Sequence, residues 1–367
     1  MAQEVRNKVS GLKSSSILGN TMPPVLGEQS VETKYFFELT PDRILRGVER
    51  FGVRCTGRVI QLNSMENRVY EVEVEVDGEL QSPSDKFRII KFYRPGRWSK
   101  EQILEEHEFL IDLQKADIPA VAPLTDVAGQ TLLTDNEINI YFAVFPKRGG
   151  RSPDELIGEQ AQQIGRLLAR VHMVGASKET VARIELTPQV YARDNLKYLL
   201  ASGAIPADAV SSYSNAVEHV CQTIEPLFSG IKAQRIHGDC HFGNVLWGSE
   251  GAFLVDFDDM VRGPAVQDFW LLVGGRDEYA VRTMDHVIEG YEQLRTFNRN
   301  ELKLIEPLRA LRLIHFSAWI ARRWNDPAFQ RVFPQFGTGN YWNEQTADLR
   351  DQLAAIQEGG FGGHLAW

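Results

Sequence analysis

The chain has 367 residues, 43% of them hydrophobic and 24% charged, the composition of a globular protein long enough for two lobes with one sizeable core each. Its formal net charge of −9 argues against a nucleic-acid partner, because no surplus of basic side chains can neutralise phosphates. No run of about 18 apolar residues predicts a membrane span. The first residues contain no continuous apolar segment, so a secretory signal is not expected. Three cysteines without CxxC spacing fit a reducing compartment, so we expect a cytoplasmic, monomeric protein.

Residues 1–35 show no regular hydrophobic pattern, whereas the segments that follow show the periodicity of helices and strands. Residues 1–35 combine a serine run, a proline pair and scattered charges, which predicts a flexible extension; a regulatory role for it is the less favoured alternative. A helix is predicted over residues 41–51. Val and Glu alternate over residues 69–76, which indicates a half-exposed antiparallel strand. The turn before it, residues 63–67, is either an ordinary hairpin turn or a phosphate contact made by Ser64 and backbone N–H groups.

Two charged residues interrupt apolar faces in the next segments. Lys91 shares one face of a strand predicted over residues 87–93 with apolar side chains. Glu106 lies on the apolar stripe of a helix that a Ser-x-x-Gln capping box places near Lys100; the stripe also contains Ile103, Leu110 and Leu113. An unpaired buried charge is costly, so we predict an ion pair between Lys91 and Glu106. The alternative for Lys91 is a strand-end residue that extends to water.

The boundary between the two lobes is predicted after another strand, residues 138–145, because Pro, Lys, Arg and two Gly follow it. This divides the chain into an N-terminal lobe, residues 36–147, and a C-terminal lobe, residues 148–367. Ser152 followed by Pro, Asp and Glu predicts a helix start, and helical patterns dominate the remainder. The predicted fold class is α+β, with an antiparallel sheet and one main helix in the first lobe and mainly helices in the second.

Residues 235–270 concentrate the side chains that chemistry requires. Asn244 follows Asp239 by five positions, and a short strand-like run then leads to Asp256. Phosphoryl transfer needs one carboxylate that orients or deprotonates a hydroxyl, and an Asn plus a carboxylate that hold Mg²⁺. Asp239 and Asp256 are therefore the predicted catalytic residues, and Asn244 and Asp256 the predicted metal ligands. His237, Asp239 and His241 could alternatively form the metal-ligand cluster of a hydrolase. Zinc chemistry is disfavoured, because no second His/Cys cluster completes the ligand set.

Five further residues have an expected role, four of them in this part of the chain and one, His172, before it. Asp258 and Asp259, next to Asp256, form a carboxylate cluster that needs a cation, since like charges repel. Asp268 is expected to fix the loop by accepting hydrogen bonds, with Arg262 as a candidate partner. His172, at the end of a buried helical stripe, is expected to be structural rather than catalytic.

The pattern H-G-D-x-H-x-x-N-x-L at residues 237–246, followed by D-F-D at residues 256–258, resembles the signature of the aminoglycoside phosphotransferase and choline kinase superfamily. Further pieces resemble bacterial Ser/Thr kinases of that superfamily and lie at residues 62–70, 91–95, 263–268 and 305–310. The resemblance covers most of the chain and implies a bilobal protein-kinase-like fold. It also implies ATP and Mg²⁺ as cofactors.

The resemblance also implies a role for each of several site residues. Lys91, held by Glu106, would position the nucleotide phosphates. Ser64 lies where kinases place the phosphate-covering loop, although the glycines of the G-x-G-x-x-G form are missing here. Phe145 lies at the hinge whose backbone grips adenine. Asp239 would orient and deprotonate the acceptor hydroxyl.

The predicted activity is transfer of the ATP γ-phosphoryl group to a hydroxyl. The resemblance implies Ser or Thr of a protein as acceptor, including this chain itself, in a bacterial stress response. A small-molecule alcohol, aminoalcohol, sugar or antibiotic is the alternative acceptor. A nucleotide-binding regulator without turnover is a third possibility, which the intact set of Asp239, Asn244 and Asp256 disfavours.

Overall fold

A computed structural model describes residues 36–80, 82–248, 251–359 and 361. The predicted extension, residues 1–35, lies outside this part of the chain. The described residues form an N-terminal lobe built on an antiparallel sheet and a larger, mainly helical C-terminal lobe, which confirms the predicted fold class.

The sheet of the N-terminal lobe has five antiparallel strands in the order β1-β2-β3-β5-β4; they are β1 (Cys55–Gln61), β2 (Arg68–Val74), β3 (Phe87–Phe92), β4 (Leu133–Asp135) and β5 (Ile140–Pro146). On β2 the alternation behaves as predicted, because Val72 and Val74 are buried. Val76 lies beyond the end of the strand and is exposed. Lys91 of β3 pairs with Val69 on one side and Ala143 on the other, which places it in the middle of the sheet.

Two helices accompany the sheet. α1 (Pro41–Glu49) ends two residues before the predicted end, Phe51. α2 (Lys100–Lys115) begins where the capping box predicts, since Ser99 and Gln102 exchange side chain–backbone hydrogen bonds of 3.3 and 2.9 Å. Its buried residues include the predicted apolar stripe and Glu106.

The C-terminal lobe contains eight helices in its described residues: α3 (Gly158–Ala176), α4 (Asp194–Ala201), α5 (Ala207–Phe228), α6 (Val266–Val273), α7 (Glu278–Glu292), α8 (Ile305–Arg322), α9 (Pro327–Val332) and α10 (Gly339–Gln357). One apolar core runs through the lobe, with Trp342, Tyr213 and Tyr291 among its largest buried side chains. In the described part of the chain, no helix combines the length and the apolarity that a membrane span requires.

The predicted helix start at Ser152 is wrong, because α3 begins only at Gly158. The backbones of Arg151 and Trp247 exchange hydrogen bonds of 3.1 and 2.8 Å, which hold the chain extended at this point. The backbone of Leu156 is then bound by the hydroxyl of Tyr279. Tertiary contacts thus override a favourable local capping sequence.

Two small antiparallel ribbons present the loops that follow them. β6 (Gln234–Ile236) pairs with β9 (Val261–Gly263), and β7 (Val245–Gly248) pairs with β8 (Gly251–Leu254). The loop after β6, residues 237–244, we call the catalytic loop, and the loop after β8, residues 255–260, the metal loop, after the roles predicted for them from the sequence. The metal loop faces the N-terminal lobe, because Lys91 of β3 contacts Asp256 and Asp258.

Candidate active site

The catalytic loop is anchored by Asp268 at the start of α6. Its carboxylate accepts hydrogen bonds from the backbone N–H groups of His237 (2.9 Å) and Gly238 (2.8 Å) and contacts His172 Nε2 at 3.0 Å. Asp268 and His172 are completely buried, and His172 also contacts the hydroxyl of Tyr291. The arrangement agrees with the structural roles predicted for Asp268 and His172.

The predicted pairing of Asp268 with Arg262 is wrong. Arg262 lies on β9 and its guanidinium is 3.7 Å from Glu185 instead. Asp268 needs no arginine, because backbone N–H groups and an imidazole already supply its hydrogen bonds.

Asp239 lies in the catalytic loop between two cationic or potentially cationic groups. Its Oδ2 is 3.3 Å from Nε2 of His241, and its Oδ1 is 3.0 Å from a guanidinium nitrogen of Arg312 on α8. The backbone oxygen of Asp239 accepts a 2.9 Å hydrogen bond from the Asn244 side chain. Asn244 is therefore tied to the loop that carries Asp239, as their spacing predicts.

Asp256 has a backbone conformation that few non-glycine residues adopt. Its φ of 61° and ψ of 64° place it in the left-handed region, where a side chain costs free energy and which is found preferentially at functional sites. Its carboxylate is 58% exposed and lies 3.6 Å from Nζ of Lys91. The strained backbone thus directs an accessible carboxylate at the lysine of the N-terminal lobe.

The two loops are in close contact at Gly238. This residue has a φ of 84°, and a Cβ at its position would collide with the backbone oxygen of Asp259. Only glycine combines this conformation with this approach at low cost. Gly238 therefore allows the catalytic loop and the metal loop to pack together and keeps Asp239 near Asp256.

The predicted contact between Lys91 and Glu106 is present, with 3.4 Å between Nζ and Oε1, and both side chains are buried. Lys91 is nearer still to Asp258, at 2.8 Å. Burial acts to lower the pKa of Lys91, but the carboxylates of Asp258 and Glu106 outweigh it and raise the pKa well above its ordinary value. Lys91 is consequently a permanent cation held by carboxylates from both lobes.

The sequence did not identify Arg183 and Arg97 as members of this cluster. Arg183 donates to Glu106 (3.0 Å) and to the backbone oxygen of Asp258 (2.7 Å). Arg97 binds the carboxylates of Asp258 and Asp259. The carboxylate cluster was expected to need a cation, and these residues, with Lys91, supply the positive charge.

Cation pairing explains the electrostatics of Asp258. Burial acts to raise the pKa of Asp258, but the charges of Arg97 and Lys91 outweigh burial and hold the pKa well below its ordinary value. Asn67 also donates to this carboxylate, at 3.2 Å. Asp258 therefore remains ionised and fixes the metal loop to the N-terminal lobe.

The turn at residues 63–67 is attached to the C-terminal lobe through Glu66. This carboxylate, whose side chain is 12% exposed, accepts hydrogen bonds from Trp319 Nε1 (2.6 Å) and from the guanidinium of Arg323 (2.8 Å). Ser64 Oγ accepts a 3.3 Å hydrogen bond from the backbone of Asn67, as in an ordinary turn. The phosphate contact of Ser64 stays a prediction.

Phe145 lies near the end of β5, opposite Ile89 of β3. Its ring packs edge-on against His107 of α2, with 6.1 Å between the ring centroids. The proposed adenine contact at this strand end stays a prediction.

His237 is organised for support of the loop. Its Nε2 lies 3.0 Å from the backbone oxygen of Val255, and its ring packs against Phe257 with centroids 4.3 Å apart. The backbone N–H of Asp239 donates to the other ring nitrogen of His237, Nδ1, at 3.4 Å. Both ring nitrogens are thus engaged by backbone groups and neither is left for zinc, so the geometry disfavours the hydrolase alternative.

Comparison with known sequences agrees with this geometry. Residues 58–305 match the sequence profile of the phosphotransferase enzyme family, APH. The chain is 38% identical over 325 residues to stress response kinase A of Escherichia coli (strain K12), across 88% of this chain and 95% of the relative. It is 35% identical, with the same coverage, to the serine/threonine protein kinase RdoA of Salmonella typhimurium (strain LT2).

Solved structures with the same fold include two small-molecule kinases. Amicoumacin kinase hAmiN in complex with AMP-PNP, Ca²⁺ and Ami superposes with a TM-score of 0.66 at 19% identity, over 83% of this chain and 95% of that one. A microcompartment-associated aminopropanol kinase gives a TM-score of 0.63 at 19% identity, over 86% and 98%. Similarity at 19% identity shows only that the fold is shared. The family profile, in contrast, matches residues of both predicted lobes and includes both loops, and the relatives are 35–38% identical over most of the chain. The chain therefore belongs to the phosphotransferase enzyme family.

Proposed function

We propose that the chain is an ATP- and Mg²⁺-dependent kinase that phosphorylates Ser or Thr of a protein, itself included, in a bacterial stress response. The observation that carries the proposal is the convergence of Lys91, Glu106 and the strained Asp256 beside the loop that holds Asp239 and Asn244. A buried cation next to an exposed carboxylate is suited to nucleotide phosphates and their metal ion.

On the nucleotide side, Lys91 is the group proposed to bind the phosphates. Glu106 holds its ammonium from α2, and Asp258 contacts it from the metal loop. Ser64 and Phe145 are proposed to contact phosphate and adenine from the turn at 63–67 and from the end of β5.

The residues proposed to hold Mg²⁺ are Asn244 and Asp256. Both offer oxygen atoms, which Mg²⁺ prefers, and the Asp256 carboxylate is accessible. The amide nitrogen of Asn244 is used in its bond to the backbone of Asp239, so the amide oxygen is the atom left for a metal. The ion would neutralise negative charge on the phosphates of bound ATP.

Asp239 is proposed to orient the acceptor and to take its proton. The acceptor oxygen forms the new bond to the γ-phosphorus, the bond between that phosphorus and the β–γ bridging oxygen breaks, and ADP leaves. Positioning and charge stabilisation supply most of the rate, because the loose transition state needs little covalent assistance.

Two acceptor classes are distinguished by one experiment. The names of the relatives at 35–38% identity favour protein Ser/Thr, whereas the solved neighbours at 19% identity are kinases of small molecules. Purified protein is incubated with ATP labelled at the γ-phosphate and a cell extract, and label is measured in protein and in small molecules. Label in protein supports the proposal, label confined to metabolites supports the alternative, and no transfer at all contradicts a kinase.

A first prediction concerns the metal ligands. Asp256→Ala and Asn244→Ala should both weaken Mg²⁺-dependent ATP binding, and raised Mg²⁺ should partly rescue Asn244→Ala, because Mg²⁺ tolerates loss of a neutral ligand better than loss of a carboxylate. ATP binding is titrated at several Mg²⁺ concentrations. Asn340→Ala, at an exposed asparagine of α10, is the control. An unchanged Mg²⁺ dependence in both active-site variants would remove these residues from the metal site.

A further inference from the structure

One side of the Asp239 carboxylate is bordered by α8. Arg312 of this helix lies 3.0 Å from the Asp239 carboxylate, and its side chain is 33% exposed. A permanent positive charge therefore lies within contact distance of the group proposed to take the acceptor's proton. Every group next to the reacting hydroxyl must be compatible with this guanidinium.

In the described part of the chain, two carboxylates of the loops next to Asp239 form ion pairs with arginines. Asp259 is bound by Arg97, and Glu66 is bound by Arg323. Asp256 lies on the side of the metal loop that faces Lys91 and is the proposed Mg²⁺ ligand. These carboxylates thus have cationic partners or a metal role and offer little attraction to a positively charged acceptor.

The neighbouring wall is uncharged at neutral pH. Tyr191 stacks on His315 of α8, with 4.7 Å between ring centroids. Burial, followed by nearby arginines, lowers the pKa of His315 to about 3, so its imidazole is neutral. Tyr191 lies close enough to Asp239 and Arg312 for both charges to act on its phenol. Among the arginines that act on His315, Arg312 is the one in contact with Asp239.

From this arrangement we infer that Arg312 selects acceptors in which an acidic group lies beside the hydroxyl. The inference rests on the proposed kinase function and assigns its acceptor class: a peptide segment with Ser or Thr flanked by Asp or Glu. An aminoalcohol carries an ammonium group close to its hydroxyl, and that ammonium would lie beside the guanidinium of Arg312, whose contact with Asp239 already uses the nearest carboxylate. Charge therefore separates this site from one that takes cationic alcohols.

Arg312 can contact the acceptor without leaving Asp239. A guanidinium has five N–H donors in a fixed fork, so one edge can stay on the Asp239 carboxylate while another binds a second carboxylate. The acidic group of the acceptor and the reacting hydroxyl are then held by a single side chain. This places the hydroxyl next to the base.

The test compares two synthetic peptides that differ only in Glu or Lys residues around one serine, with aminopropanol as a cationic small acceptor. The wild-type protein should use the Glu peptide with about tenfold higher kcat/KM than the Lys peptide, the value of one hydrogen bond to a charged group. Arg312→Gln should lose this preference through KM for the peptide, with KM for ATP nearly unchanged. Arg312→Glu should reverse the preference.

Arg322→Glu is the matched control, because it makes the same charge change on the same helix at an exposed arginine that stacks on Tyr198. It should keep the preference of the wild type. Equal use of the two peptides by the wild type, a preference that survives Arg312→Gln, or better use of aminopropanol than of the Glu peptide would overturn the inference while leaving a kinase in place. Transfer to none of the peptides, proteins or alcohols would overturn the proposed function itself.

Discussion

Asp239→Asn is expected to lower kcat by about 10²–10⁴-fold, the usual contribution of general-base assistance, while ATP binding stays nearly intact. Asparagine keeps the shape of the side chain but cannot accept the proton of the acceptor hydroxyl. The Asp239 carboxylate contacts Arg312 and His241, whereas the side chains proposed to bind ATP and its Mg²⁺ lie in the N-terminal lobe and at Asn244 and Asp256. Phosphate transfer and ATP affinity are measured on the same preparation.

The control for this variant is Asp259→Asn in the adjacent loop. It removes one negative charge near the same site, but from a carboxylate that Arg97 binds and that has no proposed chemical role. It should reduce kcat far less than Asp239→Asn. Comparable turnover of Asp239→Asn and the wild type, with both folded by circular dichroism, would show that another group accepts the proton.

Local sequence patterns predicted the parts of the fold that short-range physics determines. The Ser99–Gln102 capping box gave the first turn of α2, and the alternation of β2 gave its buried face. Lys91 and Glu106 were found because each is a charge on an otherwise apolar face, and a buried charge needs a partner. The pairing could thus be deduced from two local anomalies.

The remaining members of the site leave no comparable trace in the sequence. Arg183 and Arg97 lie in irregular segments, where no periodicity shows which side of the chain is buried, and their partners in the metal loop are 75 or more residues away. Arg312 lies on a helix, but its position there does not reveal that Asp239 is its neighbour. Periodicity predicts burial; it does not predict which distant charge a buried charge will meet.

The same limit explains the errors near secondary-structure ends. Ser152 has a sound capping sequence, yet the backbone pairing of Arg151 with Trp247 keeps this segment extended. Asp268 was correctly taken as an acceptor of hydrogen bonds, but its donors are backbone N–H groups and His172 rather than Arg262. In both cases a contact between distant segments decides between alternatives that are locally equivalent.

The interaction between Lys91 and Glu106 is best tested by a double-mutant cycle. Lys91→Met should lower kcat/KM through the lost phosphate contact, and Glu106→Gln should lower it through a displaced Lys91. The losses are therefore expected to be strongly non-additive, with the double variant scarcely worse than Lys91→Met. Each single change should also lower the free energy of unfolding, but by less than the about 3–5 kcal/mol that a stranded buried charge costs, because Asp258 stays beside Lys91 and Arg183 stays beside Glu106.

Glu105→Gln supplies the comparison that separates this pair from general damage to α2. Glu105 accepts hydrogen bonds from the backbone of residues 181–183, so it holds the segment that carries Arg183, but its neighbour Glu106 makes the contact with Lys91. Its effect on kcat/KM should add to that of Lys91→Met. Additive losses for Glu106→Gln as well would show that Glu106 acts only through Arg183, which it also binds. Asp258 lies nearer to Lys91 than Glu106 does. The double-mutant cycle is therefore measured with ATP present, because the phosphates then compete with Asp258 for Lys91. Under this condition the orientation of Lys91 by Glu106 should have its largest effect.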